Sequence, residues 1–209
     1  FVAEVKGAFR AVDSALIVVC ATSGVQVGTE QCWKLAEEAN LPRIIFVNKM
    51  DRENADFDSI LDNLRGKFGK CVIPLELPLG TAENFEGVID LLKMKEYRFD
   101  PETEGEKITE SEISAERLEQ AQTWREKMID EIASHNDEIA ELFLGGEDIP
   151  EEMLKAEIRR RTIAQEIIPF FCGSARKNTA IQPLIDAVID YLPAPNEVPA
   201  ATGLHTKKE

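Results

Sequence analysis

The chain has 209 residues, of which 44% are hydrophobic, and its 24 basic and 39 acidic residues give a net charge of −15. This length suits one domain with an insertion, or two small domains, and the composition is sufficient for a buried core. The negative charge argues against a chain that binds nucleic acid on its own. The charge is also uneven, because residues 101–150 hold 15 acidic and 4 basic residues, a net −11.

Cysteine usage and hydropathy bound the class of protein further. Two histidines, His135 and His205, lie far from any cysteine in the sequence, so no structural zinc site is expected. No apolar stretch approaches the ~20 residues of a membrane span, and no signal peptide is visible, so we expect a soluble, cytoplasmic protein. The four cysteines are widely spaced and are expected to be free thiols: Cys20, Cys32, Cys71 and Cys172.

The first third of the chain predicts alternating helices and strands. Residues 1–14 have apolar residues at helical spacing, and "ALIVVCA" (15–21) predicts a strand that is buried on both faces. A helix (30–40), a second buried strand "PRIIFVNK" (42–49) and another helix (56–68) follow. This alternation is typical of a parallel α/β sheet.

The pattern changes at about residue 69. "VIPLELPLG" (72–80) alternates as a half-exposed strand does, and its two prolines favour an edge strand. A long acidic helix is predicted from about Ser114 to Phe143. A third buried strand, "IIPFFCGSA" (167–175), and a helix restore the α/β pattern.

These elements predict two regions and a tail. Residues 1–68 and 166–195 are expected to form one α/β domain, which an acidic α+β insertion at 69–165 interrupts. Residues 196–209 are expected to be a linker or tail.

Polar side chains follow two of the predicted parallel strands. Asn48, Lys49 and Asp51 lie at the carboxyl end of the second strand, and Ser174 and Ala175 lie at that of the third. Ligands of open α/β sheets bind at the carboxyl ends of the strands, so these residues predict a binding site.

The N-K-x-D pattern favours recognition of guanine. The Asp51 carboxylate can accept hydrogen bonds from N1–H and the exocyclic amine of guanine, and adenine offers no such pair. The Lys49 stem can pack over base and sugar. Asn48 can hold the loop, the Ala175 N–H can donate to guanine O6, and Ser174 can brace its loop. The N-K-x-D pattern alone also occurs by chance in turns. Its position at the end of a buried strand, with a second such strand ending in Ser-Ala, favours a binding site.

Several segments resemble the second half of the GTP-binding domain of elongation factor G. They include "FVNKMDRENADF", "GVQVGTEQCWKLAEEANLPRI", "FEGVIDLLKMK" and "CGSARKNTAIQPLIDAVIDYLPAP", and the resemblance covers residues 1 to about 198. It implies an incomplete P-loop NTPase-like domain of α/β class, with a parallel sheet, flanking helices and an α+β insertion subdomain. By matching position, Asn48, Lys49, Asp51, Ser174 and Ala175 would be its guanine-binding residues.

The resemblance also implies partners. The parent protein would bind GTP or GDP and drive movement of tRNA and messenger RNA on the ribosome. The acidic insertion would meet the ribosomal stalk protein, and an acidic surface suits a basic protein better than RNA. No membrane partner and no sequence-specific nucleic-acid binding by this chain are expected.

The motifs for phosphate and Mg²⁺ binding do not occur in this sequence. There is no G-x-x-x-x-G-K-[ST] and no D-x-x-G, and "GKFGKC" (66–71) lacks the hydroxyl after Gly-Lys. We therefore expect a chain that begins just downstream of the catalytic parts, holds no Mg²⁺ site, hydrolyses no GTP alone and binds nucleotide weakly. The resemblance further implies an exposed apolar sheet edge at Leu16–Ala21.

Other interpretations stay open at this point. Within the superfamily, a ribosomal protection protein or a release-factor GTPase is an alternative, as is a diverged paralogue of elongation factor G. A different class is a non-catalytic module that binds the stalk protein. The three arginines at 159–161 could touch RNA, but interactions with helix ends or acidic side chains are favoured.

Overall fold

The computed structural model describes residues 2–199, so residue 1 and residues 200–209 of the predicted tail lie outside the described part. In chain order the elements are α1 Val2–Phe9, β1 Ala15–Cys20, α2 Val27–Glu38, β2 Arg43–Asn48, α3 Phe57–Phe68, β3 Val72–Pro74, β4 Glu76–Leu79, β5 Gly87–Asp90, β6 Lys95–Phe99, β7 Ile108–Glu112, α4 Ala115–Ala133, α5 Asp137–Gly145, α6 Glu151–Ile163, β8 Ile168–Cys172 and α7 Ile181–Tyr191. Short 3₁₀ helices lie at Ala82–Asn84 and Pro101–Thr103.

A parallel sheet with strand order β1-β2-β8-β3 forms the first layer. Strands β2 and β8 are neighbours, with Val47 opposite Cys172, although more than 100 residues of chain lie between them. Both are apolar and buried nearly throughout, because they occupy the middle of the sheet. The predicted α/β class with a parallel sheet is confirmed.

Strand β1 lies at one edge of this sheet and pairs with β2. Its inward side chains Ile17 and Val19 are buried, whereas Leu16 is 41% exposed and Val18 is 55% exposed. The prediction that this strand is buried on both faces is therefore wrong. Its apolar residues alternate between the core and an exposed face, and the continuous hydrophobic run does not reveal this.

The second sheet is an antiparallel meander in the order β4-β5-β6-β7. The segment predicted as one half-exposed strand is two strands, β3 in the parallel sheet and β4 in the antiparallel sheet. Leu75 joins them, because its N–H donates to the Phe170 carbonyl in one sheet and its carbonyl accepts from the Leu91 N–H in the other. The segment is buried nearly throughout since it crosses between two packed layers. Both strands are edge strands, as their prolines indicated.

The predicted acidic helix from Ser114 to Phe143 is two helices. Helix α4 ends at Ala133, and the Asn136 side chain accepts a hydrogen bond from the Ile139 N–H at the start of α5. An asparagine in this position caps a new helix and so favours a break. The break redirects α5, while buried residues of both helices belong to the same core.

Helix α6 lies between the C-terminal ends of two other helices. Arg159 donates to the carbonyls of Ile189, Asp190 and Leu192 at the end of α7. Arg161 is buried and donates to the carbonyls of Glu131 and Ile132 near the end of α4. A positive group stabilises a helix C-terminus, so the favoured interpretation of these arginines is confirmed.

No helix among the described residues is both long and apolar enough to cross a membrane.

Candidate functional site

The first half of the site is the turn that leaves β2. Asn48 is the last residue of the strand, and Lys49 adopts a left-handed conformation with φ of 70°. Met50 is completely buried, and its N–H donates to the Gly173 carbonyl over 3.1 Å. The turn is thus anchored at Met50, while the Lys49 side chain is exposed and Asp51 is half-buried.

The second half is the loop that leaves β8, defined here as the base loop, residues 173–180. Ser174 and Thr179 exchange two backbone hydrogen bonds of 3.0 Å, which close the loop. Ser174 is completely buried and its Oγ accepts from the Lys177 N–H, whereas Ala175 is exposed. A Cβ on Gly173 would lie 2.6 Å from the Thr179 carbonyl oxygen, so this position requires glycine.

One side chain joins the two halves. Asn48 Oδ1 accepts from the Lys49 N–H over 2.8 Å and from the Ala175 N–H over 2.9 Å, across 127 residues of sequence. The five predicted site residues therefore lie together at the carboxyl edge of the parallel sheet. The Ala175 N–H, expected to donate to a guanine oxygen, donates here to Asn48, so a base would share or replace that bond.

Glu76 of β4, a buried carboxylate that the sequence analysis did not identify, supports the end of β8 just before the base loop. Glu76 Oε1 accepts from the Cys172 N–H over 2.6 Å. Strand β3 has already ended at this point, so the carboxylate takes the place of a strand partner for β8. Desolvation raises the pKa of Glu76 to about 8, the charge of Asp90 adds to the rise, and the bond from Cys172 opposes it. The alternating pattern of residues 72–80 pointed Glu76 at solvent, so only its position within an apolar run was a signal.

Cys20 lies at the rim of the site, opposite Asn48 in the register of β1 and β2. A hydrogen bond from Thr22 lowers the pKa of its thiol to about 7. The thiol is half-buried at the end of the strand.

The polar groups of the candidate site would suit recognition of a polar ligand. The site offers a carboxylate, an ammonium group on a flexible stem and backbone N–H groups, which match a polar ring edge with donors and an acceptor. Among residues 2–199, no three His, Cys, Asp or Glu side chains are grouped so that they could hold a metal ion.

Comparison with known proteins identifies a family and individual relatives. The family model described as elongation factor Tu GTP binding domain matches residues 1–194. Elongation factor G 1 of Treponema denticola is 54% identical over all 209 residues, and elongation factor G 2 of Treponema pallidum is 46% identical over the same length. The chain spans 31% of the length of each of these relatives. A crystal structure of a Thermus thermophilus protein superposes with a TM-score of 0.83 at 32% identity, covering 94% of this chain and 29% of that one.

Proposed function

The chain belongs to the family of the elongation factor Tu GTP-binding domain, and on this premise we propose that it reads the guanine base of GTP and GDP in a translational GTPase of elongation factor G type. The family is described as a GTP-binding domain, which indicates a guanine nucleotide as the ligand. The named relatives favour the elongation factor G type over a ribosomal protection protein or a release factor.

In the proposed complex Asp51 accepts hydrogen bonds from N1–H and the exocyclic amine of guanine. Lys49 lays its aliphatic stem over the base, and the Ala175 N–H, which also donates to Asn48 Oδ1, shares its hydrogen bond with O6. Asn48 holds the two loops at the spacing that this contact needs, and buried Ser174 braces the base loop. Adenine would leave the Asp51 carboxylate facing an acceptor, and such unpaired groups give strong discrimination.

The observation that carries this proposal is the pair of hydrogen bonds accepted by Asn48 Oδ1. They hold the Asp51 turn and the Ala175 loop against each other, as the edge of a single base requires. Together with the bond from the Met50 N–H to the Gly173 carbonyl, they fix the distance between the donors and acceptors of the two loops.

The test is a change of base preference. Asp51→Asn replaces an acceptor by a donor, so it should raise the Kd for GDP about tenfold or more and lower the Kd for xanthosine diphosphate, which carries an oxygen in place of the amine. Asp62→Asn makes the same charge change on an exposed position of α3 and should alter neither. Titration followed by NMR measures the six constants, for wild type and both variants with each nucleotide. Unchanged preference in Asp51→Asn would contradict the proposal.

We further propose that the 209-residue chain binds GDP with a Kd above the low-micromolar range and hydrolyses no GTP. The sequence contains the residues proposed to contact the base but no G-x-x-x-x-G-K-[ST] motif. The strong charge-assisted hydrogen bonds that this motif makes to phosphate are therefore missing, and binding is weak. Calorimetry with GDP and a phosphate-release assay against a no-protein control test this. A low-micromolar Kd or phosphate release above the control would refute it.

The function of the longer protein is a proposal by relationship. We propose that it drives movement of tRNA and messenger RNA on the ribosome, in the cytoplasm, as a factor of the same type as the relatives.

The proposed ribosome-facing insertion, residues 69–165, consists mainly of the antiparallel sheet and helices α4 to α6, and it also includes β3, which pairs with β8 in the parallel sheet. Many acidic side chains of α4 and α5 are exposed, which favours a basic protein partner such as the ribosomal stalk protein. Changing Glu119 and Glu126 to their amides should weaken pull-down of that protein. The matched change of Asp58 and Asp62 on α3 should not, and equal effects would contradict the assignment.

A further inference from the structure

We propose that the hairpin formed by residues 100–107, between β6 and β7, holds the base loop in its base-reading position. This inference rests on the proposed function and adds positioning residues to it, Gly105 and Gln182. The hairpin belongs to the proposed insertion, so the part of the molecule that faces a partner would also set the shape of the guanine pocket.

Gly105 is the point at which the hairpin touches the base loop. It is buried in a stretch of exposed residues, and its φ of +76° favours glycine. A Cβ at this position would lie 2.5 Å from the Asn178 carbonyl oxygen and 3.0 Å from the Lys177 carbonyl oxygen. The two backbones are therefore in direct contact, with no space for a methyl group between them.

Gln182, in the first turn of α7, fixes the same contact from the other side. Its Nε2 donates to the Gly105 carbonyl over 3.1 Å. The base loop leads directly into α7, so this bond ties the hairpin to the element that ends the loop. Beside this contact, the hairpin and the base loop are separated by a cleft of about 830 Å³ that both of them line. They therefore touch only around Gly105.

The hairpin is itself well connected. The Gly105 N–H donates to the Asp100 carbonyl over 2.9 Å, and the Asp100 N–H donates to the Lys107 carbonyl over 3.0 Å. The Thr103 hydroxyl accepts from the Lys107 N–H over 3.0 Å. A segment closed by these bonds can act as a rigid support, because moving Gly105 requires breaking them.

The base loop needs external support because its backbone is strained. Asn178 and Ala180 both have left-handed conformations, with φ of 52° and 61°. Such residues persist when their surroundings hold them. The two flank Thr179, which closes the loop, and Asn178 is the residue that Gly105 contacts. Release of the hairpin contact would let the loop relax and would move the Ala175 N–H away from the base edge.

The experiment compares two substitutions of the same kind. Gly105→Ala and Gly146→Ala both place a methyl group on a residue with positive φ, +76° and +69°, but a Cβ on Gly146 meets nothing within 4 Å. Both variants therefore carry similar backbone strain, and only Gly105→Ala pushes against the base loop. Gln182→Glu is a third variant, which removes the donor to Gly105 without adding bulk.

Two readouts are measured on the full chain: the ratio of the Kd values for ADP and GDP by NMR titration, and hydrogen exchange of the Ala175 amide. Gly105→Ala and Gln182→Glu should reduce the guanine preference about tenfold and speed exchange of that amide by a similar factor. Gly146→Ala should leave both unchanged, although its thermal stability also falls, by less than in Gly105→Ala. A role in stability alone would lower the melting temperature without changing base preference.

Wild-type preference and exchange in both Gly105→Ala and Gln182→Glu would overturn the inference. If Gly105→Ala does not fold, Gln182→Glu decides by itself. If the wild-type chain does not prefer GDP to ADP, the proposed function fails, and the exchange of the Ala175 amide still decides whether the hairpin positions the loop.

Discussion

Replacing Glu76 by glutamine should stabilise the protein at alkaline pH and much less at acidic pH. Burial raises the pKa of Glu76 from 4.5 to about 8 in the folded chain, while the unfolded chain keeps the ordinary value. Between these values the folded state binds the proton more tightly, so the free energy of unfolding falls as the pH rises through this range. The wild-type carboxylate is therefore tolerated below pH ~4.5 and opposes folding fully above pH ~8.

The size of the effect follows from the shift. Each unit of pKa corresponds to about 1.4 kcal/mol, so a shift of this size gives about 4 kcal/mol at pH 8 and about 1 kcal/mol at pH 5. Glutamine keeps an oxygen for the Cys172 N–H and cannot ionise. Any cost of burying its NH₂ group is the same at both pH values, so Glu76→Gln should gain about 3 kcal/mol relative to wild type between pH 5 and pH 8.

Urea unfolding of both proteins at pH 5, 6, 7 and 8 measures this difference. Glu83→Gln removes an exposed carboxylate nearby and serves as the control, which should follow the wild-type pH profile. A raised pKa of Glu76 is refuted if Glu76→Gln and Glu83→Gln show the same profile. It is also refuted if Glu76→Gln changes stability equally at pH 5 and pH 8.

Three further outcomes test other contacts. Asn48→Ala removes the acceptor of the Ala175 N–H and should lower both GDP affinity and the free energy of unfolding, the latter by about 2 kcal/mol, as NMR titration and urea unfolding will show. Arg161→Ala should destabilise by about 3 kcal/mol, because Arg161 is buried and bonded to the carbonyls near the end of α4. Lys34→Ala, which removes an exposed ion pair with Glu38, should lose less than about 1 kcal/mol in the same unfolding assay. Val18→Lys places a charge on the exposed face of β1 and should reduce concentration-dependent association in sedimentation velocity, and a wild-type chain that stays monomeric at high concentration would speak against this.

The sequence was most informative where a strand is buried and ends in polar residues. Strands β2 and β8 are mostly apolar runs, Asn48 is the last residue of β2, and Ser174 lies two residues after β8. Parallel neighbours bring such residues to one edge of the sheet. The juxtaposition of the two loops was therefore predictable without knowing the residues in between.

The errors have physical causes that local patterns do not contain. The break between α4 and α5 was visible in principle, because Asn136 is followed by Asp137 and Glu138, a sequence typical of a helix start. The division of residues 72–80 between two sheets had no such signal. Alternation of apolar and polar residues predicts a strand with one solvent-exposed face, and this segment is buried on both faces. The contact of Gly105 with Asn178 depends on the packing of distant segments, which periodicity does not report.

The order of strands in the parallel sheet has a consequence for how the chain folds. Strand β8 lies between β2 and β3 but is the last of the four to be synthesised, and β4–β7 and α4–α6 precede it. Until β8 leaves the ribosome, β3 has no neighbour in its sheet, and the edge of β2 that pairs with β8 has no hydrogen-bonding partner. Sheet closure is thus a late, long-range event, which gives slow folding and a nascent chain that is prone to aggregation.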